Sequence, residues 1–377
     1  MKKAVKTIAV IMASIIAIIY SLGYDYLFSG IAKTYLRGKT SATIDDGSLF
    51  SSNTIKAGIA QPWEKDQNYN SKTLSAAMIK DVQTTKTASF LVIKDGKLAQ
   101  EHYWDGNAYT RTNSFSMAKA ITVMLLGKAI EEGRIKGLDQ KFSDFYENYA
   151  HVPFGKNLTI QNLAAMEAGL DWNEDYQNPF TPNAKAYYGK SLAKAVLLRG
   201  FKEEPGKKFE YQSGATQLLG FALRKAIDKP LSSYLSEKFW QPLGMEQNAY
   251  WTTDSNGMEK TFCCIHAESR DFAKLGQILL NNGKWQDQQL LSKAFIDKMR
   301  TPSKASNNTY GLGLWINYDH PIKHYYFWGH LGQYIIVVPE KNMIIVRTGS
   351  YENQPKDNKS RPEQVSFLVE EAVKMYP

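Results

Sequence analysis

The longest apolar run in the chain comes first. Lys2, Lys3 and Lys6 precede an uncharged stretch from Thr7 to Tyr24, and Ile8 to Leu22 is almost wholly apolar. A basic start followed by an apolar run is what an export signal requires. Ser21-Leu22-Gly23 is a poor match to a small-x-small cleavage site, and the uncharged length approaches the roughly 20 residues that cross a bilayer. An uncleaved anchor is therefore favoured over a removed signal peptide. Tyr24, Leu27, Phe28, Ile31 and Tyr35 recur at helical spacing just beyond, as an interfacial helix would. Residues 1–37 thus read as a signal anchor or signal peptide with its interfacial helix. The bulk of the chain is expected to be exported, anchored at the inner membrane and lying in the periplasm or outside the cell.

From Gly38 to about Lys86 the pattern is polar and broken, which reads as a linker or N-terminal arm over 38–86. Regular patterning begins at Ala88. Ser89–Lys94 and Lys97–Trp104 are strand-like and joined by Asp95-Gly96, a strong two-residue hairpin signal. A helix is predicted from about Ser116 to Glu132, with Ile121, Met124, Leu125 and Ala129 on one face and Gly133 as its C-cap. The middle, to about Met245, reads as helices and loops. Another helix follows from Ser269 to Leu280, then strands at Gly311–Ile316, Tyr325–Gly329, Tyr334–Val338 and Met343–Thr348, and a closing helix over Pro362–Met375. Strands at both ends around a helical middle indicate an α+β fold, a sheet domain over 87–377 with an all-helical insert.

Composition narrows the function classes. The 377 residues include 46 basic and 37 acidic side chains, a net charge of +9, and 43% are hydrophobic. No block of consecutive basic residues concentrates that excess, so nucleic acid is not an expected partner. The two cysteines, Cys263 and Cys264, are neighbours, which excludes a disulfide-stapled scaffold. They read as two small buried side chains. His266 alone beside them makes no zinc site, and no metal or organic cofactor is implied.

Three short motifs carry candidate chemistry. Ser116-Met117-Ala118-Lys119 is a Ser-x-x-Lys opening the clearest helix. Residues three apart share a helix face, so the amine reaches the hydroxyl. The helix start adds free N–H groups where an oxyanion would form. An amine whose pKa is lowered by desolvation accepts the serine proton. Ser191-Leu192-Ala193-Lys194 has the same pattern but reads as an ordinary helix start. Tyr211-Gln212-Ser213 offers a phenol and a hydroxyl for proton transfer and substrate binding. His330-Leu331-Gly332 lies between two strand runs. There a donor followed by glycine lets a substrate lie along an edge strand. The Gln333 N–H is expected to join that of Ser116 as an oxyanion hole.

In this order, the motifs resemble the serine β-lactamase-like superfamily, and its class C branch in particular. That branch also holds D-alanyl-D-alanine peptidases, carboxylesterases and 6-aminohexanoate-dimer hydrolases. The likeness covers about Thr87 to Lys374 and extends to Ser114-Phe115-Ser116, Glu174-Asp175-Tyr176, Phe262-Cys263-Cys264, Arg270-Asp271-Phe272 and Gly332-Gln333. These look like the 6-aminohexanoate-dimer hydrolase and esterase relatives. The resemblance implies an antiparallel sheet flanked by helices, with an all-helical lobe. It implies Ser116 as acyl-forming nucleophile, Lys119 as its proton partner and Tyr211 as base and acid. His330 would take the third-motif position, with Ser213, Gly332 and Gln333 beside the substrate.

Two departures matter: His330 stands where β-lactamases usually have lysine, and Ser213 where they have asparagine. Both weaken the grip on a β-lactam carboxylate and amide. A small ester or amide, or a short peptide, is the expected substrate. A cell-wall D-alanyl-D-alanine peptidase or β-lactamase is the alternative. A non-hydrolytic penicillin-binding-like receptor is the rival of another class, and its mark would be a missing catalytic residue. Asp171, Glu174 and Asp175 read as a surface loop or, less commonly, as acids lining the cleft against a substrate cation, and Trp328 as packing or a ligand platform.

Overall fold

The computed structural model describes residues 1–377. Helix α1 (Lys2–Ser21) buries none of its residues. It is the single helix long and apolar enough to cross a membrane, with a mean hydropathy of 2.1. Helix α2 (Tyr26–Lys33) follows four residues later. The 38–86 segment, expected as linker or loose arm, is tied along the body. Strand β1 (Ser52–Ile55) enters a sheet. Helix α3 (Ala76–Thr84) is capped by Ser75 Oγ, which accepts from the Met78 N–H at 3.0 Å, and it buries Met78 and Val82. Between them Trp63 Nε1 donates to the Arg270 carbonyl at 2.9 Å. Its apolar anchors are too widely spaced along the chain to make a periodic signal, yet each seats in the core.

Strands β2 (Thr87–Lys94) and β3 (Lys97–Tyr103) form the expected hairpin. Asp95 and Gly96 have φ of 51° and 77°, the pair of positive values a type I′ turn needs. After β4 (Thr112–Asn113) comes α4 (Met117–Glu131), buried over nearly its whole length. No strand occurs between β4 and residue 249. That stretch is the helical lobe, made of α4, α5 (Ile160–Ala164), α6 (Pro182–Tyr188), α7 (Leu192–Val196), α8 (Ser213–Ile227) and α9 (Leu231–Leu235).

Strands β5 (Ala249–Thr252) and β6 (Ile265–Ala267) join β1 and β4 in the order β1-β5-β6-β4. Helix α10 (Ser269–Leu280), the short hairpin β7 (Lys284–Trp285) and β8 (Gln288–Gln289), and α11 (Lys293–Met299) follow. The main sheet then completes with β9 (Trp315–Asn317), β10 (His324–Gly329), β11 (Gln333–Val338) and β12 (Met343–Gly349), before α12 (Glu363–Met375) closes the chain. Its order, β3-β2-β12-β11-β10-β9, is antiparallel at every pairing. Helix α10 lies on the face carrying Ile335 and Ile344, where a Cβ on Gly276 would come within 2.9 Å of both side chains.

The strand expected at Gly311–Ile316 is shortened to Trp315–Asn317. A Cβ on Gly311 would sit 2.2 Å from the Met299 carbonyl, and Gly313 has φ 75°. The two glycines serve a tight backbone crossing there.

Candidate active site

The nucleophile candidate stands at the junction of β4 and α4. Asn113 Oδ1 accepts the Phe115 N–H at 2.8 Å, and Ser114 bonds Ile265 through its N–H (2.7 Å) and its Oγ (3.0 Å). These ties hold Phe115 at φ 43°, a left-handed conformation that phenylalanine adopts only under constraint. Ser116 is thereby turned into the cleft as the N-cap residue of α4, and its N–H finds no acceptor within the protein.

Lys119, one turn on, is 1% exposed. Its Nζ lies 2.9 Å from Ser116 Oγ, 3.1 Å from Ser213 Oγ and 3.0 Å from the Phe262 carbonyl. It also sits 4.7 Å from the centroid of the Tyr211 ring. Desolvation pulls its pKa down to about 8, against the nearby Glu174 charge, which raises it. Burial pushes the Tyr211 phenol well above its ordinary value, although the neighbouring Ser116 and Trp315 groups oppose the shift. The first two motifs therefore meet at one buried amine.

Glu174 belongs to this site, whereas sequence reasoning favoured a surface loop for it, as for Asp171 and Asp175. Its carboxylate accepts from the Ser213 N–H (2.7 Å) and Oγ (2.5 Å), Trp172 Nε1 (2.7 Å) and the Tyr176 hydroxyl (2.8 Å). Ser116 Oγ, Lys119 Nζ, Ser213 Oγ and Glu174 thus form an unbroken chain of hydrogen bonds. Asp171 is exposed on the surface loop, whereas Asp175, also exposed, lines both cavities. No spacing rule marks Glu174, because its partner Ser213 is 39 residues away in sequence.

The third motif occupies the tight turn from β10 to β11. His330 lines the cleft, with its ring 5.4 Å from that of Phe115 and 5.2 Å from that of Tyr176. Burial lowers its pKa to about 4, so the imidazole is neutral. Gly332 and Gln333 stand behind it and line neither cavity. Gly332 has φ 79°, and a Cβ there would come 2.4 Å from Arg347 Nη1. The Gln333 side chain is fully buried, donating to the His330 and Gly349 carbonyls. Their side of the motif shapes the turn.

Arg347 was not singled out by sequence. It is fully buried, and Nη1 bonds the Leu331 (2.8 Å) and Gly332 (2.7 Å) carbonyls while Nη2 bonds that of Thr85 (2.7 Å).

Two cavities meet at Ser116, His330 and Tyr176. One, about 360 Å³, is walled by α2, α6 and Phe180. The other, about 940 Å³, carries Tyr211, Trp315, Trp328, Glu352, Asn353 and Lys356. Cys263, buried at the first cavity, is bonded to Cys264 (Cα–Cα 3.7 Å). The pair is buried as expected but disulfide-linked, closing no loop beyond the dipeptide. No cluster of side chains suits a metal ion.

Comparison with known proteins agrees with this geometry. A 6-aminohexanoate-dimer hydrolase of Paenarthrobacter ureafaciens is 24% identical over 229 residues, 58% of this chain and 58% of that protein's length. A protein of Escherichia coli O157:H7 named for D-alanyl-D-alanine carboxypeptidase activity is 25% identical over 296 residues, 61% of this chain and 68% of its own. A solved Bacillus anthracis structure described as a 6-aminohexanoate-dimer hydrolase superposes with a TM-score of 0.74 at 24% identity, covering 87% of this chain and 91% of that one. The model of the Beta-lactamase family matches residues 76–369, and the chain belongs to that family.

Proposed function

We propose that this protein is an exported, membrane-anchored serine hydrolase that cleaves an ester or amide through an acyl-enzyme on Ser116. The observation that carries the reading is Lys119 Nζ, buried and 2.9 Å from Ser116 Oγ. A pKa near 8 leaves part of the amine neutral and able to accept the serine proton. As the Ser116 Oγ–carbon bond forms, the oxyanion meets the free Ser116 N–H. Gln333, expected to supply the second N–H, lines neither cavity, so its backbone reaches the oxyanion only if the 330–333 turn shifts toward Ser116. Tyr211, kept protonated by burial, protonates the leaving oxygen or nitrogen as its bond to carbon breaks. Lys119 returns the lost proton to Tyr211, and water then hydrolyses the acyl-enzyme.

Neutral His330 can donate a hydrogen bond but supplies no fixed positive charge, and Ser213 is engaged with Glu174. Both favour an ester or amide without a carboxylate at that position over a β-lactam; an amide of the 6-aminohexanoate type would have to place its carboxylate elsewhere in the cleft. The alternative, a D-alanyl-D-alanine peptide, draws on Lys356, the one ammonium lining the larger cavity, whose Nζ lies 5.4 Å from the Trp328 ring centroid.

Intact mass of the full chain after fluorophosphonate treatment tests the proposal. We expect one adduct, absent in Ser116→Ala. A folded protein that takes no adduct overturns hydrolysis in favour of a non-hydrolytic receptor.

A further inference from the structure

The two cavities differ in chemistry, and the scissile bond lies where they join. The smaller is mainly apolar, enclosed by Leu27 and Ile31 of α2, Ala184 of α6 and Phe180, with Asp175 and Gln177 at the side it shares with the larger. The larger carries Glu352, Asn353 and Lys356. Tyr211 lines only the larger, so the group it protonates departs into the polar side. The acyl group then occupies the apolar side.

One side of the apolar wall, Leu27 and Ile31 of α2, comes from outside the family-matched span. Residues 76–369 match the family, whereas α2 lies before it, four residues after α1. Four residues reach at most about 14 Å. Helix α2 is firmly seated: Tyr26 is buried and its hydroxyl donates to the Pro179 carbonyl at 2.9 Å, and Phe28 stacks on Tyr20 of α1 at 5.8 Å. Around the mouth Ile31 is 45% exposed, Phe180 62% and Tyr35 65%. An exposed apolar and aromatic rim, continuous with a helix of membrane-spanning length, suits a membrane interface.

We propose, resting on the hydrolase reading above, that the substrate is a membrane-resident amphiphile. In it an apolar acyl chain is joined to a polar head at the scissile bond, and the chain enters the cavity beneath α2. Ser116 takes the acyl carbon, the head leaves with the proton from Tyr211, and water releases the fatty acid.

The test uses the full chain in vesicles of ether-linked phosphatidylcholine, which offers no carboxylic ester of its own. Monopalmitoylglycerol and monobutyrylglycerol share a polar leaving group and differ in chain length; fatty-acid release is read by mass spectrometry. Ala184→Trp fills the cavity, and Ile31→Asp places a charge on its exposed rim without added bulk. Both proteins are expected to lower the palmitoyl-to-butyryl ratio of kcat/KM by about tenfold or more relative to the wild type. An unchanged ratio in Ile31→Asp and Ala184→Trp, or fluorophosphonate labelling of Ser116 without cleavage of the palmitoyl ester, overturns the inference and leaves the hydrolase reading standing. Absence of both labelling and hydrolysis overturns the two together.

Discussion

Lys119 is the residue on which the chemistry turns, and its environment gives a signed expectation. Because burial holds its pKa near 8, the neutral amine is populated as pH rises, so kcat/KM for an ester should climb through about pH 8 and level off above it. His330, neutral above about pH 4, should add no inflection near neutrality. Lys119→Ala should reduce kcat/KM by about 10²–10⁴-fold. Glu174→Gln gives a sharper signature. The carboxylate raises the Lys119 pKa and accepts two hydrogen bonds from Ser213; without its charge the ammonium is less stabilised, so the pH–rate inflection should move down by up to about one unit while kcat falls. A residue that merely braced the loop would lower activity without moving the inflection. The Ser116–Lys119 pair was legible in sequence because helix geometry alone brings it together. Glu174 was not, since what makes it functional is a contact with a residue on another element.

At the scale of elements, the third motif depends on a turn whose shape is set from behind. Leu331 and Gly332 both have positive φ, and Arg347 bonds their two carbonyls. Gly332→Ala adds left-handed strain and a clash with that guanidinium, whereas Gly133→Ala meets nothing within 4 Å and adds strain alone. Urea unfolding should show a loss of about 1 kcal/mol for Gly133→Ala and about 2–4 kcal/mol for Gly332→Ala. Equal losses would mean that Arg347 yields freely. The hairpin at Asp95-Gly96 and helix α10 were readable because local turn chemistry and periodicity specify them. Strand β1 and helix α3 were not, because Ile55, Met78 and Val82 are isolated apolar residues whose burial is decided by distant partners. The adjacent cysteines show the same limit: sequence gave their proximity, while bonding between them depends on the backbone, with Cys264 held at φ 76°.

At the scale of the whole molecule, the N-terminal 37 residues divide into two parts with different physical roles. Helix α1 buries none of its residues, and its 20 residues span about 30 Å, the thickness of a bilayer's hydrocarbon core. Helix α2 is structural to the cleft, with Tyr26 buried and Gly30 packed 3.5 Å, measured from an added Cβ, against the Tyr188 ring. Truncation separates the two. The full chain should stay with membranes through alkaline carbonate extraction, and a chain beginning at Tyr24 should be released. That shorter chain should unfold cooperatively, whereas one beginning at Gly38 should melt roughly 4–8 °C lower, since burial of Tyr26 is worth about 2 kcal/mol and each such kcal/mol shifts Tm by about 2–4 °C. Differential scanning calorimetry of the two truncated chains makes the comparison. Equal melting temperatures would show that α2 contributes nothing to the folded body, and the apolar cavity would then lose its wall as a fixed feature of the protein.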